Sequence, residues 1–571
     1  MSQINELKMN NNTIRSDLQK AYDRKFSRLL AKFDIKQLRS GQHEVITSLL
    51  NGNHTLAIMP TGAGKSLCYQ IPSQLFTRST LVVSPLISLM KDQIEHLDEV
   101  GVAAEQIHSS LSAQELSSAT NRIGDANSKI IFATPEKVTD PDFQQLLRQT
   151  GIDLFVIDEA HCISQWGHDF RPAYLELSNA IKALGDPIVL ALTATATEDV
   201  CADITQQLGL KSLNVINTGI FRRNLQFRVV HVTNDQEKLQ ALLDIIAATQ
   251  GSAIVYAATV VAVEKIHLFL TQNDVVATKY HGKLKSRERA TNQELFMQDG
   301  CRIMVATNAF GMGIDKEDVR LVIHYQIPGN LEAYYQESGR AGRDGQEAQC
   351  VLLYDLNDKR IQQFFLARHY PGLLELRNVY KAIQSHTAER TLTSKTVVNK
   401  LSDISKTNIK VTLRLLKDAR LVKQDKNGVL ETMQSKLDEN ELGKMAEAYS
   451  HKQEYDREML EQMVSYAQGG GCRWRTILEY FGDDETQFTY CGICDNCLQP
   501  PKPILEPVVD HNQTAEKSNI NVTLPHFEIG NAVKIKRFGK GFVTEVIGNQ
   551  VTVRFNNQET RTFMSNYVSL F

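Results

Sequence analysis

The sequence has no apolar run approaching the roughly 18 residues of a membrane-spanning helix, so no membrane contact is expected. Its first residues, Met1-Ser-Gln-Ile-Asn-Glu6, lack a basic stretch followed by an apolar core, which argues against secretion. It also lacks a positive field. Its 63 Lys and Arg are outnumbered by 66 Asp and Glu, for a net charge of −3, so any nucleic-acid contact must come from local patches. Tryptophan is scarce, with two in 571 residues. Of nine cysteines, Cys68, Cys162, Cys201, Cys301 and Cys350 are scattered and read as free thiols of a reducing compartment. What remains is an ordinary globular composition, 42% hydrophobic and 23% charged, in a chain long enough for three to five domains.

The most informative stretch is Ala57-Ile-Met-Pro-Thr-Gly-Ala-Gly-Lys-Ser66. An apolar strand (55–59) runs into a glycine-containing turn and then into a helix. Such a turn lets backbone N–H groups wrap phosphate oxygens. Thr61, Gly62, Ala63 and Gly64 form the cradle, Lys65 reaches the β/γ-phosphates, and Ser66 holds Mg²⁺. Met59 replaces the glycine of the strict pattern, and a bare match of this kind also occurs in ordinary turns. Its partner downstream is Leu154-Phe-Val-Ile-Asp-Glu-Ala-His161, an apolar strand ending in two carboxylates. Ligands sit at the carboxyl ends of strands in open α/β sheets. Asp158 is therefore expected on Mg²⁺, and Glu159 is expected to polarise an attacking water. Alone, such a pair is often an exposed strand end. Together, the two motifs imply a nucleotide triphosphatase.

Apolar strands alternate with helical segments over 80–84, 129–133, 153–157 and 188–192, and again over 253–257, 303–306, 321–325 and 350–354. Such alternation predicts parallel sheets covered on both faces. The second set has no phosphate loop. It carries Gln336-Glu-Ser-Gly-Arg-Ala-Gly-Arg343, whose Arg340 and Arg343 share a face if the segment is helical. A nucleotide clamped between two lobes, with arginines supplied by the second, is the expectation. A solvated basic face is the plain alternative.

These motifs together resemble the RecQ family of superfamily 2 DNA helicases over most of residues 33–356. The match rests on Leu38-Arg-Ser-Gly-Gln42, the phosphate loop, Val83-Ser-Pro-Leu-Ile-Ser-Leu89, Ala133-Thr-Pro-Glu136, Asp158–His161, Leu192-Thr-Ala-Thr-Ala-Thr197, Tyr280-His-Gly282, Ala306-Thr-Asn-Ala-Phe-Gly-Met-Gly-Ile-Asp315 and the arginine motif, in the family's order. Ala63 stands where the family usually has glycine. The resemblance implies two tandem RecA-like lobes, ATP as substrate, and 3′→5′ movement on single-stranded DNA with unwinding of duplex ahead. It implies that Gln42, with Arg39, reads adenine, that Asp315 joins the nucleotide-binding set, that Thr193 and Thr195 link ATP state to DNA, and that Arg340 and Arg343 approach the γ-phosphate. His161-Cys-Ile-Ser-Gln-Trp-Gly-His-Asp-Phe-Arg-Pro172 resembles the family's aromatic-rich DNA-sensing loop. Trp166 and Phe170 offer stacking faces there, and His168 and Arg171 complete the DNA-binding set. A buried tryptophan is the alternative, disfavoured by the loop-forming residues around it.

Beyond residue 357, helices over 358–369, 373–385, 394–401 and 408–419, capped at Thr407, lead to a hairpin (421–424, 428–431) with Asn427-Gly428 at its turn. This predicts a winged helix whose Lys410, Arg414 and Lys417 share one basic face for DNA. A solvated face explains that spacing equally well. The best-known family members carry their winged helix after the zinc module, whereas this one precedes it. A long amphipathic helix (444–468) leads to Cys472, Cys491, Cys494 and Cys497. Four clustered thiolates with no other local core predict a closed structural Zn²⁺ site, an iron–sulfur cluster being the lesser alternative. Residues 466–497 also resemble the RecQ zinc module. A proline-rich linker follows, then short alternating strands that predict a small SH3- or Tudor-like β-barrel. Phe538-Gly-Lys-Gly-Phe-Val543 resembles the C-terminal barrel of some superfamily 1 repair helicases, which implies a protein partner. Lys534, Lys536, Arg537 and Lys540 could instead touch phosphates.

The expected chain is thus α/β with accessory modules: a polar segment (1–24), lobe 1 (25–210), lobe 2 (211–356), a winged-helix-like region (357–437), a zinc module (438–499), a linker (500–525) and a small barrel (526–571). The expected function is an ATP-dependent 3′→5′ DNA helicase of repair and recombination, cytoplasmic, bacterial and nucleoid-associated, binding single-stranded and duplex DNA. An RNA helicase, and a DNA-binding translocase or adaptor that does not unwind, are the rivals.

Overall fold

The computed structural model describes residues 26–500 and 527–570, apart from breaks at 40, 126, 165–166, 168–169, 211, 312–315, 386–392, 394–395, 399–400, 402–403, 405, 420, 426–427, 434–438, 484–487, 536–538, 548–549, 556–559 and 565–567. The chain divides into two units, one ending at Pro501 and the other starting at Lys502. The polar segment 1–24 and all of the 500–525 linker except Pro500 lie outside the described residues.

The first unit holds two parallel sheets. Strands β1 (Thr55–Ile58), β2 (Ser79–Val83), β3 (Ala104–Ile107), β4 (Ile130–Ala133), β5 (Ile152–Ile157), β6 (Ile188–Thr193) and β7 (Asn214–Asn217) run in the order β3-β4-β2-β5-β6-β1-β7. Every pairing is parallel. The middle strands are buried along their length, as continuous apolar runs require. β6 lies between β1 and β5, so the loops that follow these three strands emerge side by side.

The second sheet comprises β8 (Leu225–His231), β9 (Ser252–Tyr256), β10 (Thr278–Tyr280), β11 (Ile303–Ala306), β12 (Val319–His324) and β13 (Ala348–Tyr354), in the order β10-β11-β9-β12-β13-β8. It too is wholly parallel. Each sheet has apolar side chains packed on both faces.

The cysteine-bearing segment does not stand alone. The apolar cluster under β8, β12 and β13 continues through Leu460, Met463 and Tyr466 of the helix Glu439–Gln468 to Trp474, Ile477 and Cys494. Trp474 is fully buried, with its ring centroid 4.9 Å from both Phe221 and Phe227. Its Nε1 donates to Leu225 O at 3.0 Å, and the Asp495 carboxylate accepts from Val229 N at 2.8 Å. β8 is an edge strand, and these contacts cap its open side. The sequence suggested cysteines without a local core; the structure gives them the core of the second lobe.

Helices Leu373–Gln384 and Lys406–Asp418 pack with the antiparallel pair β14 (Val422–Gln424) and β15 (Leu430–Thr432) around their own core, which includes Leu376, Tyr380, Leu413 and Leu430. Thr407 falls inside the second of these helices rather than at its cap. Asn427 lies outside the described residues, while Gly428 takes φ 83°, as a tight turn requires.

The second unit is a five-stranded antiparallel sheet. Strands β16 (Ala532–Ile535), β17 (Gly539–Ile547), β18 (Gln550–Phe555), β19 (Thr560–Met564) and β20 (Ser569–Leu570) run in the order β19-β18-β17-β16-β20. Val533, Val543, Val551 and Val553 supply its core. Among the described residues, no helix is long and apolar enough to cross a membrane.

Candidate nucleotide cleft and cysteine cluster

The turn after β1 places Gly62 at φ 84° and Gly64 at φ 77°, conformations that favour glycine. Ala63 between them is not in the left-handed region, so alanine is tolerated where the motif usually has glycine. The turn is braced from behind by Gln42. Its Nε2 donates to Ala63 O and Gly64 O, both at 3.0 Å, and its Oε1 accepts from Arg39 N at 2.7 Å. The Arg39 guanidinium donates to Gly62 O. The polar atoms expected to read adenine are thus bonded to the phosphate loop in this structure.

Lys65 donates from Nζ to Met59 O at 3.2 Å. Burial lowers its pKa, opposed by the nearby Glu159 and Asp158 carboxylates. Asp158 directly follows β5, and its Oδ2 accepts from Ser84 Oγ at 3.2 Å. Burial, and then the Glu159 charge, push the Asp158 carboxyl up to about 7. Glu159 takes φ 50°, an uncommon left-handed position for a side-chain-bearing residue. Its Oε2 is buried without a hydrogen-bond partner among the described residues and lies 3.4 Å from His161 Nδ1. That nitrogen also sits 3.1 Å from Thr193 Oγ1, and Thr193 Oγ1 donates to Thr195 O at 2.9 Å. The acidic turn is therefore wired directly to the Thr-Ala-Thr segment, a consequence of β6 lying between β1 and β5.

The second lobe closes the cleft. The helix Leu331–Ser338 stops before the arginines, which lie in the turn that follows, not on a helical face. Gly339 ends the helix, and Gly342 takes φ 55°. A Cβ on Gly62 would stand 3.5 Å from Arg343 Cγ, so the arginine turn abuts the phosphate loop. Arg340 and Arg343 line one cavity of about 290 Å³ with Lys65, Ser66, Asp158 and Glu159.

Sequence reasoning missed Arg222, in the segment between the lobes. Its Nη1 donates to Gly339 O at 2.7 Å and reaches Thr61 O at 3.4 Å. Its Nη2 donates to Ala341 O at 2.8 Å and to Gly342 O. One planar fork thus ties the arginine turn to the phosphate loop, which a lysine's point charge does not reproduce. Asn224 adds bonds to Gly342 O and Gln346 O, both 2.8 Å. The signal available beforehand was Phe221-Arg-Arg-Asn-Leu225, a cationic pair just ahead of a strand.

Of the DNA-loop residues, Trp166 and His168 lie outside the described residues, as does Asp315. Phe170 and Arg171 are half-buried. Arg171 N donates to Cys162 O at 3.0 Å, which folds the loop back on the acidic turn. On the helix Lys406–Asp418, Lys410 and Arg414 are exposed, whereas Lys417 donates to Gln424 Oε1 of the hairpin at 3.0 Å.

The sulfur atoms of Cys472, Cys491, Cys494 and Cys497 all lie within 4.8 Å of one another. Cys491 and Cys497 sulfurs are 3.8 Å apart, close to the edge of about 3.8 Å that Zn–S bonds of about 2.3 Å give a tetrahedron. Backbone N–H groups of Cys491 and Arg473 point at Cys472 Sγ and Cys494 Sγ, at 3.3 and 3.4 Å. The donor set fits one tetrahedral ion preferring thiolates.

Paired parallel lobes meeting at a phosphate loop, an acidic pair and two arginines define a superfamily 2 helicase core. Family models agree: DEAD/DEAH box helicase over residues 39–204, helicase conserved C-terminal domain over 237–345, and RecQ zinc-binding over 424–498. The chain is 36% identical over 518 residues to the ATP-dependent DNA helicase RecQ of Bacillus subtilis, covering 90% of this chain and 71% of that protein. It is 34% identical to the RecQ of Haemophilus influenzae, covering 83% of this chain and 63% of the relative. A probable ATP-dependent DNA helicase RecS of Bacillus subtilis is 34% identical, over 81% of this chain and 90% of its own. The structure of Mss116p bound to ssRNA and AMP-PNP shares the fold, with a TM-score of 0.50 at 19% identity over 58% of this chain and 72% of that one. The chain belongs to the RecQ family of ATP-dependent DNA helicases.

Proposed function

We propose that this chain hydrolyses ATP in the cleft between its lobes and uses the cycle to move 3′→5′ along single-stranded DNA, parting the duplex ahead. The observation that carries this reading is the meeting, in one cavity, of Lys65, Ser66, Asp158 and Glu159 from the first lobe with Arg340 and Arg343 from the second. Lys65 holds the β/γ-phosphates, Glu159 orients the attacking water, and Arg343, with Arg340, meets the charge that develops on the γ-phosphate. Mg²⁺, held by Ser66 and Asp158, would neutralise phosphate charge. Arg39, Gln42, Thr61, Gly62, Ala63 and Gly64 shape the nucleotide end, with Asp315 assigned to the same set. Arg222 is a positioning residue that keeps the arginine turn in register with the phosphate loop.

Trp166, His168, Phe170 and Arg171 are assigned to DNA sensing, and Lys410, Arg414 and Lys417 to duplex contact. Zn²⁺ on the four cysteines has a folding role, since a closed site leaves no open position for catalysis. The seven-segment division at 24, 210, 356, 437, 499 and 525 belongs to the same proposal, as do a cytoplasmic, nucleoid-associated setting and work in repair and recombination. A protein partner for the terminal sheet rests on the short Phe538–Val543 resemblance.

The test is ATP hydrolysis by the purified chain alone, with single-stranded DNA and with RNA, beside displacement of 3′-tailed and 5′-tailed duplexes. DNA-stimulated hydrolysis with displacement from the 3′ tail alone is expected. Stimulation by RNA in place of DNA, or displacement from the 5′ tail, contradicts the proposal.

A further inference from the structure

The outer face of the C-terminal sheet carries groups that neither the cleft nor the cysteine cluster uses. Residues 526–571 hold six Lys and Arg against three Asp and Glu, in a chain whose net charge is −3. Their placement follows from register. Lys540 of β17 stands directly opposite Lys534 of β16. Phe542 stands opposite Ala532 on one side and Arg554 on the other. Alternate residues of a strand share a face. Val533, Gly541, Val543 and Val553 are buried, while Lys534, Lys540, Phe542 and Arg554 are exposed. Phe542 is 56% exposed.

The exposed ring is unfavourable for the sheet by itself, since a phenylalanine left in water forgoes the gain of burial. A ligand that brings a flat apolar surface to the ring and negative charge to the cations around it matches this face. Nucleic acid does this, and sheet faces that carry an aromatic among cations bind single strands by stacking bases and tracking phosphates. An acidic peptide would satisfy the cations, but it brings no plane for the ring. Lys540 and Phe542, two residues apart on one strand, are separated by about 7 Å, which sets a phosphate contact beside a stacking contact. Glu545, exposed further along β17, ends the cationic strip.

We propose that this face is a second binding platform for single-stranded nucleic acid, with Phe542 stacking on a base and Lys534, Lys540 and Arg554 contacting phosphates. This platform holds the strand without hydrolysis.

The experiment uses the full chain without ATP and reads fluorescence anisotropy of labelled oligothymidylate about 40 nucleotides long, enough for more than one site. Phe542→Ala is expected to weaken binding about tenfold, as loss of one stacked base does. The double substitution Lys534→Gln/Lys540→Gln is expected to weaken it and to flatten the salt dependence by about 0.7 per lysine removed. Phe542→Tyr keeps the ring and should bind as the unmodified chain does, which separates stacking from mere damage to the sheet. Unchanged affinity in Phe542→Ala, or an equal loss in Phe542→Tyr, overturns the proposal. So does an unchanged salt slope in the double variant, an outcome that leaves the face to a protein partner. Because ATP is absent, the result does not depend on the hydrolysis assigned to the cleft. The same losses are expected in a Lys65→Ala background.

Discussion

The two lobes share an architecture and differ in what they carry. Each is a parallel sheet with apolar side chains on both faces. The first bears the phosphate loop and the acidic pair at the ends of β1 and β5, on either side of β6. The second bears only the arginines, on a turn past a helix end, and shares its core with the cysteine-bearing segment. In the proposed cycle the first lobe therefore holds the nucleotide, and the second acts on it only when the arginine turn lies against the loop. Trp474 and Asp495 fasten the cysteine segment to β8, so the second lobe and the cysteine cluster are built as one body. Movement of the arginines relative to the loop is thereby movement of the cysteine segment as well.

Substitutions on either side of the cleft sharpen this contrast. Lys65→Ala, in the first lobe, removes the phosphate contact itself, and DNA-stimulated hydrolysis should fall by at least about 10³ in steady-state assays. Near-normal turnover in that variant rules out the assigned cleft. Arg343→Ala, in the second lobe, should lower kcat by about 10³ while nucleotide affinity, read by equilibrium binding, stays close to normal. A loss of affinity as large as the loss of rate would make the lobes equivalent and break the comparison. Cys494→Ser should lose bound zinc, measured by elemental analysis, and Trp474→Ala should cost about 3–5 kcal/mol in urea unfolding. Both losses would fall on the second lobe because its core is the one involved. A zinc-replete, stable Cys494→Ser protein contradicts the four-cysteine site. Arg222→Lys should lower kcat about tenfold with KM for ATP nearly unchanged, since it misplaces the arginine turn without touching the nucleotide. Equal changes in both parameters would mark Arg222 as an ordinary structural contact. The smallest effect is expected from Trp166→Ala. Basal hydrolysis should persist while stimulation by single-stranded DNA is lost, and unchanged stimulation removes the loop from the account.

Much of this was legible in the sequence because the strongest physical signals are local. Fully buried strands such as β2 and β4 read as apolar runs, and the phosphate loop and cysteine spacing are contiguous motifs. Edge strands were not legible. β3 (Ala-Glu-Gln-Ile), β7 (Asn-Val-Ile-Asn) and β10 (Thr-Lys-Tyr) are short and partly polar, since each has only one neighbouring strand. β8 alternates because one of its faces is less covered, and a search for continuous apolar runs passes over it. Arg340 and Arg343 looked helical by spacing, yet Gly339 and Gly342 turn the chain before the face can form. The roles of Arg222 and Trp474 are tertiary. Their hydrogen-bond partners lie more than 100 residues away, and no local pattern encodes them.

In the proposed cycle the first lobe binds ATP and the second completes its hydrolysis. Single-turnover hydrolysis by Arg343→Ala, with ATP already bound and single-stranded DNA present, tests it most directly. The nucleotide should stay bound and be cleaved about 10³-fold more slowly than in the unmodified chain. Cleavage at the unmodified rate would show that the first lobe suffices and that the arginine turn has no part in the chemistry.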